Sequence, residues 1–229
     1  KHTDSLSTTF GKQLLMFGGF EFDYTSQDVY QYSLFGSTVD VYALGLTTSY
    51  DVMGQTFNLQ IANADRASSG QRNVRYTLGW YGKLGMIDTI ASYMVNPKAA
   101  KDSETYLTFG AKIDMKKWYV EADYLTKTTE HAAPTKDDKI TSIVAKAGMN
   151  FGQLKASVKY FMDENEVAEL KTFEQTGYVA ALECHDSKHE GMRYHVAYSS
   201  VEKDFVDAAT KDTTDSKITL GMRFAFDVM

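Results

Sequence analysis

The amino-acid sequence predicts an all-β fold, a transmembrane antiparallel β-barrel of about twelve strands, and three features carry that reading. The last stretch, KITLGMRFAFDVM, has an apolar residue at every even position from Ile218 to Val228, with Lys217, Arg223 and Asp227 among the residues between them. Successive side chains of a strand point to opposite faces, so one face of this segment is greasy and the other wet. Aromatic residues make up 13% of the chain, with 15 Tyr and 13 Phe against 2 Pro, a composition that suits pleated strands and their ladders. The connections between alternating segments are by turns tight and long, as in a sheet whose two ends face different surroundings.

In chain order the strands fall at 6–17, 41–52, 56–63, 74–84, 86–94, 106–115, 118–124, 140–151, 154–163, 176–185, 192–199 and 217–229. The first two alternate imperfectly, with Lys12 assigned to the wet face and Asp51 likewise. From position 74 the pattern is clear: Val74, Tyr76, Leu78 and Trp80 oppose Arg75, Thr77, Gly79, Tyr81 and Lys83. Leu107, Phe109, Ala111 and Ile113 oppose Thr108, Gly110, Lys112 and Asp114, and Trp118, Val120, Ala122 and Tyr124 oppose Tyr119, Glu121 and Asp123. Lys146 is on the wet face of 140–151, and Lys155, Lys159 and Asp163 on that of 154–163. Glu183 and His185, then Arg193 and His195, hold the same place in the next two strands, and Arg223 and Asp227 in the last.

The tight connections are VMGQ, KLGM, DMKK, NFGQ and SKHEG; the long polar ones are ADRASSGQRN, NPKAAKDSE, EHAAPTKDDK, DENEVAELKTFEQ and EKDFVDAATKDTTDS. A soluble β-sandwich also alternates, but its turns lack this asymmetry, and its wet face has no use for Gly79, Gly110, Gly148, Gly177 and Gly221, which in a barrel leave room in the lumen. Tyr42, Tyr50, Tyr76, Trp80, Trp118, Tyr124, Tyr160, Tyr194 and Tyr198 fit the aromatic girdles of a membrane barrel.

No apolar run of about 18 residues exists, which excludes a spanning helix but not spanning strands. The net charge of −6 argues against nucleic acid as a partner, and a single cysteine, Cys184, supplies neither a disulfide framework nor a metal cluster. The opening KHTDSLSTTF does not read as a secretory leader, so the chain is read as mature or as beginning within a longer protein.

One connection differs from the rest. GGFEFDYTSQDVYQYSLFGSTVD, at 18–40, is rich in aromatics and carries Glu21, Asp23, Asp28 and Asp40 with no Lys or Arg. Such a composition suits a segment folded inward against a barrel wall, narrowing the channel, rather than a solvated outer loop. The run FGKQLLMFGGFEFDYTSQDVYQYSLF, followed by YALGLTTSYDVMGQTFNLQIANAD and closing with LGMRFAFD, resembles the Bacteroidetes branch of the phosphate-selective porin O and P family. The likeness runs over the whole chain and is sharpest at 10–65. It implies a bacterial outer-membrane porin of about sixteen strands, a homotrimer among lipid and lipopolysaccharide, with the inward loop after the fifth strand. Here that loop follows the first strand, so the resemblance implies that the chain is a twelve-strand part of the barrel lacking the first four; a complete twelve-stranded barrel is the alternative.

The family's ladder of lumen arginines is not matched by the scattered Arg66, Arg72, Arg75, Arg193 and Arg223, so phosphate selectivity does not carry over. The expected pore-lining residues are Lys12, Arg75, Lys112, Glu121, Asp123, Lys146, Lys155, Lys159, Glu183, Arg193 and Arg223, with the acidic loop opposite Lys155 and Lys159. Nearly balanced charges of this kind favour small hydrophilic solutes or ions. Neither cofactor nor metal is expected: GGFEFDY lacks the ending of a phosphate loop, and HDSKHE suggests no closed ligand set. Two competing functions remain open, a plugged barrel serving a partner or adhesin, and a barrel hydrolase built on His185, Asp186 and Ser187 or on His195 and Ser199.

Overall fold

A computed structural model describes residues 2–14, 17, 20, 42–63, 74–97, 102–131, 136–185, 192–206 and 210–224. Twelve strands run in order: β1 (Leu6–Leu14), β2 (Tyr42–Val52), β3 (Gln55–Asn63), β4 (Val74–Leu84), β5 (Ile87–Pro97), β6 (Ser103–Asp114), β7 (Trp118–Glu130), β8 (Asp138–Phe151), β9 (Leu154–Val167), β10 (Leu170–His185), β11 (Met192–Phe205) and β12 (Thr213–Phe224). Each pairs antiparallel with its sequence neighbours, in a single sheet of order β1 to β12. Among the described residues β12 and β1 are not paired with each other, so the sheet is open.

Its two faces are inverted relative to a soluble domain. Leu78 is 56% exposed while its neighbour Thr77 is 1% exposed, and this contrast repeats from strand to strand. Leu46, Phe57, Leu59, Tyr76, Phe109, Val120, Val158, Tyr178, Val196 and Leu220 are exposed on the outer face. Thr47, Gln60, Arg75, Ser92, Thr108, Glu121, Asp123, Lys146, Lys159, Asp163 and Gln175 are buried on the inner one. Water cannot be the solvent that stabilises such a pattern, because apolar area left in water forgoes about 25 cal/mol per Å². Hydrocarbon can.

Four of the tight turns, at 52–55, 83–86, 114–117 and 150–153, form where the sequence places them; SKHEG lies outside the described residues. Met53 and Gly54 join β2 to β3, both at positive φ (50° and 76°), the two-residue hairpin geometry that matches the twist of paired strands. One connection is a correction: DENEVAELKTFEQ is not a long loop. β9 runs on to Val167, β10 starts at Leu170, and Ala168 and Glu169 make the turn at φ 52° and 62°. Positive φ strains non-glycine residues, but Asp138 Oδ1 accepts the Ala168 N–H at 2.8 Å and the Asp137 carbonyl accepts that of Glu169 at 3.0 Å. Above this stretch a bulge at Thr172 resets the β9–β10 register.

The inner-face glycines are a second correction. Three of them, Gly148, Gly177 and Gly221, leave no room in the lumen, because each lies opposite a large inner-face side chain that folds over it. Tyr119 pairs with Gly148, Phe161 with Gly177, and His195 with Gly221. A Cβ at Gly177 would approach Phe161 Cζ to 2.6 Å and the Ser200 carbonyl to 2.8 Å. Gly177→Ala is therefore expected to lower stability by about 1–3 kcal/mol through overpacking, read as a lower urea midpoint of the barrel in lipid vesicles. Phe161 itself anchors an apolar inner patch with Val144, Val179, Ala197 and Val201.

Candidate functional site

Alternation places every second residue of each strand inward, and the antiparallel register lines those residues up in rows across the sheet. One row crosses six strands: Lys83 faces Asp88, Asp88 faces Lys112, Lys112 faces Glu121, Glu121 faces Lys146, and Lys146 faces Lys159. Its contacts are ionic. Lys83 Nζ is 3.5 Å from Asp88 Oδ1, and Glu121 bridges Lys112 at 3.8 Å and Lys146 at 3.7 Å. Glu121, Lys146 and Lys159 are buried, so little water screens these charges.

One step toward the tight-turn end, Tyr119 collects the ammonium groups of three lysines. Lys155, Lys112 and Lys146 lie 5.1, 5.6 and 5.9 Å from its ring centroid, within the range of cation–π attraction. Gly148 opposite makes this arrangement possible, since any side chain there would collide with the tyrosine ring. A second basic group surrounds Glu183, which accepts from His185 Nε2 at 2.8 Å and lies 3.5 Å from Arg193. Lys155 and His195 flank Glu183 in register, and Arg193 faces Arg223.

Toward the long-connection end the inner wall is more acidic and more apolar. Lys127 Nζ and Glu104 Oε1 are 2.7 Å apart, and Glu104 also accepts from Asn96 Nδ2 at 3.0 Å and Tyr106 Oη at 2.9 Å. Beside this network Met94, Tyr106 and Leu125 form an apolar patch that receives Phe17, whose ring meets Tyr106 edge-on at 5.4 Å. Three residues on, the Phe20 N–H donates to Asp123 Oδ1 at 3.0 Å, and its ring lies close to Gly110. Tyr106 to Gly110 is four residues down β6, roughly 13 Å at strand rise. Phe17 and Phe20 therefore lie at two levels on the inner wall of β6 and β7.

The sequence-predicted residues sort accordingly. Arg75, Lys112, Glu121, Asp123, Lys146, Lys155, Lys159, Glu183 and Arg193 all take inner-face register positions, and Arg223 pairs with Arg193. Lys12 does not. It pairs with the exposed Leu44, on the side of Phe10, which is 80% exposed, so the parity of β1 puts it on the outer face. Glu21, Asp23, Asp28 and Asp40 lie outside the described residues.

Asp186, Ser187, His189 and Glu190 also fall outside the described residues; His185 binds Glu183. His195 and Ser199 share the inner face of β11 but are four residues apart, about 13 Å, beyond hydrogen-bond reach. Sequence reasoning missed Tyr119 as a centre of the lysines, and the Glu104–Lys127 pair. Both residues of the pair lie where strands continue beyond the apolar alternation, and only their even spacing with Thr108 and Asp123 could have placed them.

The fold is that of an outer-membrane β-barrel. No family model matches the sequence, and no curated protein does. Among solved structures, a loop L8 deletion mutant of OmpT, an outer membrane protein of Vibrio cholerae, is similar with a TM-score of 0.73 at 11% identity, over 97% of this chain and 76% of that one. OmpT of Vibrio cholerae expressed in the outer membrane gives 0.71 at 11% identity, over 97% and 77%. A porin gives 0.59 at 12% identity, over 87% and 67%. At such identities the likeness lies in the fold.

Proposed function

We propose that this chain belongs to a porin of the bacterial outer membrane, a passive, water-filled channel for small hydrophilic solutes or ions that works without cofactor or chemical turnover. The observation that carries the reading is the inverted sheet, with charged rows buried on the inner face and an apolar band on the outer one. Lipid and lipopolysaccharide then surround the band, and the resemblance to the porin O and P family adds a homotrimer of about sixteen-stranded barrels. Glu21, Asp23, Asp28 and Asp40 lie outside the described residues, and we propose that they narrow the channel opposite the basic wall that contains Lys155 and Lys159. Phe17 and Phe20, already against the inner wall, support that placement. Solute passage is then set by the field between an acidic segment and a basic wall in a confined opening.

The test is swelling of vesicles that contain the full-length protein, in sugars of increasing size. Rates that fall steeply with sugar size support the porin. A Phe17→Ala variant, which releases the anchor in the Met94–Tyr106–Leu125 patch, is expected to admit larger sugars. The same inward packing also suits a second reading, a plugged barrel serving a partner, and a folded protein that passes no sugar would favour it.

A further inference from the structure

At the long-connection end, His131 sits between two carboxylates from different parts of the chain. Its Nδ1 is 3.4 Å from Asp102 Oδ2, just before β6, and its Nε2 is 3.0 Å from Asp138 Oδ2, the first residue of β8. A neutral imidazole has one N–H and can donate to one carboxylate only; the imidazolium donates to both. Asp138 in turn holds the β9–β10 turn, through its other oxygen and the Ala168 N–H at 2.8 Å. Around these contacts the backbone N–H of His131 donates to Asp137 Oδ1 at 3.3 Å, and Lys136 pairs with Glu169 at 2.9 Å. Three successive connections, β5–β6, β7–β8 and β9–β10, thus meet at one imidazole.

We propose that His131 is a proton-controlled clasp that ties these three connections together when doubly protonated and loosens them when neutral. The charged groups facing it are Asp102 from the β5–β6 connection, Lys136, Asp137 and Asp138 from its own, and Glu169 from the β9–β10 turn; Glu130, beside it on β7, accepts from Ser103 Oγ at 3.0 Å. Carboxylates outnumber cations there, which favours the protonated ring. The hydrogen bond to Asp138 raises the His131 pKa above its ordinary 6.5; partial burial opposes the rise and Asp102 adds to it. Because the clasped value is the higher one, the clasp is complete below the ordinary value and is lost as pH rises through the raised value. The geometry does not suit a metal ion, since the two carboxylates lie on opposite edges of the ring.

The clasp does not depend on the channel reading, and its test reads backbone protection rather than conductance. Hydrogen exchange of the Ala168 and Glu169 amides is followed in the folded full-length barrel at about pH 5 and about pH 8.5, corrected for intrinsic exchange. Protection is expected to fall about threefold or more across that range in the wild type, the scale of an exposed ion pair. His131→Gln, whose two N–H donors share one nitrogen and so cannot reach both carboxylates, stays at the lower level at both pH values. Asp102→Asn, which leaves the Asp138–Ala168 bond in place, reduces the pH dependence and decides the matter should the glutamine variant fail to fold. Protection independent of pH in the wild type, or a pH dependence that survives in His131→Gln or is undiminished in Asp102→Asn, would overturn the proposal.

Discussion

Replacing Leu78 with Arg is expected to destabilise the barrel in lipid vesicles by about 2–4 kcal/mol, measured by urea unfolding. Leu78 is highly exposed and pairs with Leu59 on the outer face, between Tyr76 and Trp80 along its own strand. In a soluble protein an exposed leucine of this kind is replaced at a cost within about 0.5 kcal/mol, because the new side chain stays in water. Here the guanidinium enters the middle of the apolar band, where hydrocarbon offers it no hydrogen-bond partner. The same substitution at Met53, exposed in the β2–β3 turn, is expected to be nearly neutral. Equal effects at the two sites would mean that the exposed apolar face does not meet lipid.

Glu121→Gln is the second large effect. Glu121 lies between Lys112 and Lys146 in the charged row, and removing its charge leaves two ammonium groups facing each other where the carboxylate had separated them. Breaking a buried ion pair from one side costs about 3–5 kcal/mol, and the lower end is expected, since Lys112 also has Asp114 at 3.8 Å. Combining Glu121→Met with Lys146→Met should recover much of the loss, because the pair is removed together. Under the porin reading the single variant also shifts ion preference toward anions. A loss below about 0.5 kcal/mol would mean that the row is solvated in the way of an exposed surface pair.

The sequence made the strands legible wherever lipid and lumen impose opposite chemistry on alternate residues, as at Val74–Leu84 and Trp118–Tyr124. It became silent where both faces meet water. β9 and β10 continue past the apolar band with Glu164, Glu166 and Glu174 on the outer side, so a true hairpin reads as a polar loop. Its turn, Ala168–Glu169, lacks the Asn or Gly that marks such turns, because Asp137 and Asp138 of a neighbouring connection hold it instead. Lys12 was misassigned for the opposite reason. Its charge suggested the wet face, while the parity set by Phe10 and its pairing with Leu44 put it outside.

The glycines show what alternation cannot carry. Sequence places Gly148, Gly177 and Gly221 inward, but only the register reveals that Tyr119, Phe161 and His195 lie opposite and fill the space. The same holds for the site. The charges of the inner face were readable one by one, whereas the row through Glu121 and the lysines around Tyr119 depend on pairing between strands.

The central claim, an open aqueous channel through a barrel with these charged rows on its wall, is tested most directly by conductance of single molecules. The full-length protein, purified from its native membrane, is inserted in a planar bilayer under a salt gradient. Stepwise openings, with a reversal potential that moves toward anion preference in Glu121→Gln, are the predicted result. A correctly folded, heat-modifiable barrel that inserts and passes no current would contradict it.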